Sequence, residues 1–290
     1  MRMTPANPFT TLIQPHELQA LRDAGSPVLV LDCSFDLMNP AAGCAQFEAE
    51  HIAGSLHVDL DRDLSAHDRP ASEGRHPLPP REAFARRMAE LGLSRGAQVV
   101  VLDRQGANYC GRLWWMLRWC GHEAVAVLDG GLAAWKAAGG AVETGAAAVP
   151  APGDFTASES LAPALDTNTL MQRLGRADTT VIDARAAARF RGEVEPLDPV
   201  AGHVPGALNR PFGENLQADG RFKPAAQLRA EFERLLGGRD PAGVVHQCGS
   251  GVSAVPNLLA MQIAGLGTTA LYPGSWSAWC NTKGTPRARG

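Results

Sequence analysis

The sequence predicts two tandem α/β domains, each a small parallel sheet with helices on both faces. Two observations carry that expectation. Short apolar runs of strand type, at Val28–Asp32, 99–103, 124–128, Thr180–Asp183 and Val244–Gln247, alternate with stretches of helical period, and such alternation calls for parallel sheets covered on both sides. The second observation is an internal repeat. Asp32 and Asp183 lie 151 residues apart, His51 and His203 152, Asp103 and Cys248 145, and Trp135 and Trp279 144. Four landmarks in one order with so little drift mark a duplicated domain.

In chain order, residues 11–24 read as a capped helix, followed by the buried run Val28–Asp32. The segment His51-Ile52-Ala53-Gly54-Ser55-Leu56-His57 comes next, then a charged, proline-containing loop over 59–80. An amphipathic helix is expected over 81–91, a strand over 99–103, a Trp-rich helix over 108–120 and a strand over 124–128. Gly202-His203-Val204-Pro205-Gly206-Ala207-Leu208 matches the His51 segment, residues 221–236 supply a helix, and Pro273-Gly274-Ser275-Trp276-Ser277-Ala278-Trp279 matches the segment ending at Trp135. Residues 139–159 are rich in Ala, Gly and Pro with little periodicity. The expected organisation is therefore an N-terminal domain over 1–142, a linker over 143–160 and a C-terminal domain over 161–290.

Composition narrows the function. At 290 residues, 45% of them hydrophobic, the chain can build a sizeable core. Its net charge of −3 gives no general basic surface for nucleic acid or an acidic membrane. Residues 1–14 lack the pattern of a secretory leader, and no stretch reaches the roughly 18 apolar residues of a membrane helix. A cytoplasmic enzyme is the expectation. The six cysteines include no CxxC pair and no Cys/His ligand spacing, so neither a disulfide framework nor a metal site is expected.

The stretch that carries chemistry is Val244-Val245-His246-Gln247-Cys248-Gly249-Ser250-Gly251-Val252-Ser253-Ala254. A buried strand runs into a cysteine, then a loop of small residues, then an apolar helix expected over 253–264. Glycine permits the tight curve that turns successive backbone N–H groups inward, and the helix start adds partial positive charge, so the loop can cradle an anionic sulfur. Cys248 is the candidate nucleophile. The matching residue of the first half is Asp103, which cannot do thiolate chemistry, so only the second domain is expected to be active and the first to complete the pocket. A cysteine phosphatase needs an arginine six residues after its cysteine; that position is Ala254. A non-catalytic binding module is the remaining alternative, and retention of Cys248 in its Gly-rich loop speaks against it.

The tandem repeat, the Gly-His-Val-Pro-Gly-Ala signature, the Gly-Ser-Trp-Ser-Ala-Trp segment and the single cysteine loop together resemble two-domain rhodanese-type sulfurtransferases, over residues 11–279. Within that family Cys248-Gly249-Ser250-Gly251-Val252-Ser253 resembles the Cys-Gly-Ser-Gly-Val-Thr loop of the 3-mercaptopyruvate branch. Thiosulfate-preferring members carry two basic residues straight after the cysteine, where Gly249 and Ser250 stand here.

The resemblance implies site residues. Ser250 would head a Ser-His-Asp relay, with His76 and Asp61 as the matching histidine and acid. Arg189, in Arg189-Phe190-Arg191-Gly192, would clamp the substrate carboxylate, and Gly249, Gly251, Val252 and Ser253 would line the sulfur site. A second family arginine follows a Glu-Pro pair; here Glu195-Pro196 is followed by Leu197 and Asp198, which leaves Arg191 or Arg210 as stand-ins. The implied reaction takes sulfur from 3-mercaptopyruvate onto Cys248 as a persulfide, releases pyruvate, and passes the sulfur to a small thiol, a thioredoxin-type protein or cyanide, with no metal or organic cofactor. Thiosulfate is the alternative donor.

Overall fold

The computed structural model describes residues 7–290, and the apolar runs form the strands of two separate parallel sheets. The first sheet contains β1 (Leu12–Ile13), β2 (Val28–Asp32), β4 (Leu56–His57), β5 (Gln98–Leu102) and β6 (Val125–Leu128) in the order β1-β6-β5-β2-β4. A small antiparallel pair joins β3 (His51–Ile52) to β7 (Val142–Glu143). The second sheet contains β8 (Thr180–Asp183), β9 (Leu208–Asn209), β10 (Val244–Gln247) and β11 (Ala270–Leu271) in the order β11-β10-β8-β9.

The repeat holds in register as well as in order. Asp32 sits opposite Leu102 and His57 in the first sheet, and Asp183 sits opposite Gln247 and Asn209 in the second. Each of these pairs is the counterpart of the other at the offsets read from the sequence. Even the edge strand β1, paired with β6 at Leu12–Val127, has its echo in a parallel bridge between Ala164 and Leu271.

The chain divides into two compact units. One comprises residues up to Ser65, Pro79–Leu161 and Ala218–Arg221; the other comprises Ala66–Leu78, Ala162–Gln217 and Phe222–Gly290. Residues 66–78, which the sequence boundaries assign to the N-terminal domain, thus pack with the second unit. The stretch expected to be a linker is held on the first unit by backbone bonds from Gly153 to Ala89 (2.8 Å), Phe155 to Leu93 (3.1 Å) and Ser158 to Cys120 (3.0 Å). A Cβ on Gly153 would stand 2.0 Å from the Leu93 carbonyl oxygen, so only glycine lets this stretch lie so close.

Several elements start later than their periodicity suggests, and proline or capping chemistry explains where. The helix expected over 11–24 spans Pro15–Asp23, because Pro15 needs no N–H partner in the first turn and Gln14 with Glu17 forms a reciprocal cap. Pro224 likewise precedes the helix Ala225–Leu236, and the helix after Cys248 spans Val255–Ile263 with Pro256 in its first turn. Buried aliphatic and Trp side chains fill each unit: Ile13, Val30, Val100, Leu128 and Trp135 in the first, Val181, Val245, Tyr272, Trp276 and Trp279 in the second.

Among the described residues, no helix is long and apolar enough to cross a membrane. Of the leader-free reading of residues 1–14, residues 1–6 lie outside the described residues.

Candidate active site

Strand β10 delivers Cys248 to the carboxyl end of the second sheet, where open parallel sheets bind ligands. The cysteine is buried. Its backbone is clamped by the start of the last helix, Ser275–Asn281. Ser275 Oγ accepts the Cys248 N–H at 3.0 Å and donates to the Tyr272 carbonyl at 3.0 Å. The N–H groups of Trp276 and Ser277 donate to the carbonyls of Cys248 and Gly249. The Gly-Ser-Trp-Ser segment is thus the buttress of the cysteine loop. Gly251 takes φ +75°, and a Cβ there would stand 2.1 Å from the Pro273 carbonyl oxygen. Val252 is buried and Ser253 half-buried in the same loop.

The first unit displays what such a loop does. Asp103 turns its carboxylate into its own loop, where it accepts the N–H groups of Gln105 (2.8 Å), Ala107 (3.0 Å), Tyr109 (2.8 Å) and Cys110 (2.9 Å). Gly106, the counterpart of Gly251, has the same left-handed backbone. Four converging amides hold an anion, and here the anion is a side chain of the protein itself. Burial pushes the Asp103 carboxyl above its ordinary pKa, against the downward pull of the four amides. The counterparts of these four residues around Cys248 are Ser250, Val252, Ala254 and Val255.

Ser250 is buried, and its hydroxyl is 2.7 Å from Nδ1 of His76, which is also buried. The pairing depends on residues 66–78 lying in the second unit. Gly74, at φ +98°, lets that segment run against Gly274, whose carbonyl oxygen a Cβ on residue 74 would meet at 2.8 Å. Asp61 belongs to the first unit, in the short helix Leu60–Asp63 whose first turn Asp59 caps.

Arg189 lies over the loop, its Nη1 3.4 Å from where a Cβ on Gly249 would stand. Its Nε and Nη2 donate to Glu195, at 3.3 and 2.6 Å, and Nη2 is 3.4 Å from Asp198. The two stand-in arginines have other partners. Arg191 pairs with Glu193 at the surface, 2.6 Å apart. Arg210 is buried against the Phe232 ring and bound to Asn215 and Glu231, so it braces the helix Ala225–Leu236. In both cases the guanidinium goes to a nearby carboxylate, which the sequence pattern does not reveal.

Four residues at the loop were given no site role by sequence reasoning. Arg75 has its Nη2 3.2 Å from the same Gly249 point and donates from Nη1 to Asp198 at 2.7 Å. Arg185 is buried and donates to Asp183, to Glu195 and to the Gly202 carbonyl, its guanidinium 4.9 Å from the Trp276 ring centroid. Burial opposes its charge, but Asp183, Glu195 and the nearby Cys248 sulfur more than offset that, and its pKa is raised. Glu195 and Asp198 complete the set. Burial pushes the Asp198 carboxyl above the ordinary carboxylate value, while Arg75 and Arg189 pull the other way.

A length difference between the repeats explains how these carboxylates arrive. In the first unit Phe47 and His51 stack four residues apart, at a ring separation of 3.8 Å. In the second unit Phe190 and His203 stack at 3.9 Å but are thirteen residues apart, nine more. The added residues carry Glu195 and Asp198. One signal was readable in the sequence, the carboxylate standing at 198 where an arginine was expected.

Both halves of the chain match the rhodanese-like domain family, over residues 14–138 and 166–282. The chain belongs to the rhodanese family. It is 45% identical to a probable 3-mercaptopyruvate sulfurtransferase of Pseudomonas aeruginosa over 93% of this chain and 95% of that one. It is also 40% identical to a putative thiosulfate sulfurtransferase, SseB, of Mycobacterium tuberculosis, over 96% and 97%. Among solved structures, 3-mercaptopyruvate sulfurtransferase from Leishmania major superposes with a TM-score of 0.80 at 29% identity, over 94% of this chain and 75% of that one. The fold class, the family and the sulfurtransferase class expected from the sequence hold.

Proposed function

We propose that this rhodanese moves the sulfur of 3-mercaptopyruvate through a persulfide on Cys248 to a thiol acceptor and releases pyruvate. The observation that carries the reading is the buried 2.7 Å hydrogen bond between His76 and Ser250, one loop position beyond Gly249. A donor whose leaving group is a carbanion equivalent needs a proton delivered, and this pair is built to handle one.

The Cys248 thiolate attacks the donor sulfur. The S–S bond forms as the C–S bond breaks, and the carbon takes the electron pair as pyruvate enolate. The proton carried by the donor thiol passes through Ser250 and His76 to the enolate carbon. Loop amides of the kind that hold Asp103 stabilise the anionic persulfide. An acceptor thiolate then takes the outer sulfur and restores the Cys248 thiolate, a substituted-enzyme cycle. Small thiols, thioredoxin-type proteins and cyanide are acceptors by this chemistry, and the cytoplasm, where thiols stay reduced, is the compartment it fits.

One observation favours a second reading, thiosulfate as donor. The residues after Cys248 are uncharged, yet two guanidiniums, from Arg75 and Arg189, stand within 3.2–3.5 Å of a Cβ built on Gly249. The test is pyruvate release from 3-mercaptopyruvate and thiocyanate release from thiosulfate plus cyanide, side by side, with Cys248→Ser as control. Preference for 3-mercaptopyruvate, lost in the variant, supports the first reading. Preference for thiosulfate supports the second. Mass spectrometry that finds Cys248 unmodified after every donor would overturn both.

A further inference from the structure

We propose that Arg75, held in place by Asp198, is the second cation that anchors the donor carboxylate, beside Arg189. The inference rests on 3-mercaptopyruvate as donor and names the contact that selects it. Arg75 commits Nη1 to Asp198 and turns Nη2 to within 3.2 Å of a Cβ built on Gly249. Arg189 commits Nε and Nη2 to carboxylates and turns Nη1 to within 3.4 Å of the same point. Nε of Arg75 is buried and without a hydrogen-bond partner. N–H edges from two arginines thus converge one residue from the nucleophile, and a planar carboxylate can bridge them by charge-assisted hydrogen bonds.

Two guanidiniums so close repel, and Asp198 answers that repulsion. Its carboxylate is 2.7 Å from Arg75 and 3.4 Å from Arg189, and its side chain is only 3% exposed. It lies where an arginine was expected after Glu195-Pro196, with an arginine facing it instead. The cation of the pair has moved to position 75, on the segment that also carries His76. Substrate anchor and proton relay therefore share one segment of the second unit. Asp198 is a positioning residue, since it acts through Arg75.

The test is steady-state kinetics of the full chain with 3-mercaptopyruvate, and inhibition by pyruvate, for wild type, Arg75→Gln, Arg75→Lys, Asp198→Asn and the charge swap Arg75→Asp/Asp198→Arg. Arg75→Gln is expected to raise KM, and the pyruvate inhibition constant with it, by about 10- to 100-fold, the worth of a hydrogen bond to a charged group. Its kcat should fall by a smaller factor, because the contact is already made in the ground state. Arg75→Lys should give a smaller rise, Asp198→Asn a rise of a few-fold, and the swap should recover affinity relative to Arg75→Gln despite carrying two changes. Unchanged KM and pyruvate inhibition in Arg75→Gln, in a wild type that releases pyruvate, would overturn the role of Arg75 alone. A wild type that releases no pyruvate from 3-mercaptopyruvate would overturn the donor assignment beneath it. Should Arg75→Gln not fold, Arg75→Lys and the swap decide: a KM equal to wild type in Arg75→Lys, or no recovery in a folded swap, counts against the proposal.

Discussion

His76 and Ser250 are joined by a 2.7 Å hydrogen bond although 174 residues separate them in the chain. Both are buried in the same compact unit, so the pair is preorganised rather than assembled when substrate arrives.

His76→Ala is therefore expected to lower kcat for pyruvate release by about 100-fold or more, the usual worth of a positioned acid or base. Ser250→Ala should cost as much, and the double variant little beyond either, because residues that act as a unit are not additive. Single-turnover pyruvate assays check this, and undiminished release by His76→Ala would remove the relay.

Gly251→Ala is expected to abolish activity and to destabilise the fold. Its Cβ would meet the Pro273 carbonyl oxygen at 2.1 Å, in a backbone conformation (φ +75°) that L-residues avoid. A loss of more than about 1 kcal/mol in urea unfolding is the expected result. Wild-type stability would mean that the loop can move off Pro273.

Asp103→Ala is expected to destabilise the first unit. It strips one buried acceptor group from four backbone N–H groups, and leaving buried donors unsatisfied costs about 1–3 kcal/mol each before relaxation. Denaturant unfolding should show a large loss. Asp103→Asn, which keeps one acceptor oxygen, should lose less.

His246 on β10 is fully buried, and neither ring nitrogen has a hydrogen-bond partner. Burial lowers its pKa from 6.5 to about 3. As pH falls below about 6.5 the unfolded chain binds a proton that the folded chain refuses, so stability drops progressively toward pH 3 and is level above. At 1.36 kcal/mol per pKa unit the loss approaches roughly 4 kcal/mol. His246→Leu should flatten this limb of the stability-against-pH curve; an unchanged limb would place the acid sensitivity elsewhere.

The four buried cysteines other than Cys248 offer little competing chemistry. Burial pushes the thiols of Cys33 and Cys110 well up, and those of Cys120 and Cys280 to about 11.

The sequence by itself determined the duplicated α/β plan, down to strand registers that repeat at the offsets of Asp32 and Asp183. It also singled out Cys248 as the candidate nucleophile, because a strand, a cysteine and a glycine-bearing loop before a helix are contiguous and their geometry is local. His76 and Arg189 were named as well, through the family resemblance, and both lie at the cysteine loop. Only the tertiary structure decided what stands over that loop. Residues 66–78 join the second unit, Arg75 stands beside Arg189 over Gly249, and Asp198 contacts both arginines while Glu195 binds Arg189. The physical reason is range. Hydrophobic period and turn chemistry report which face of an element is buried, whereas a long guanidinium finds its carboxylate through packing, as Arg75 finds Asp198 from 123 residues away.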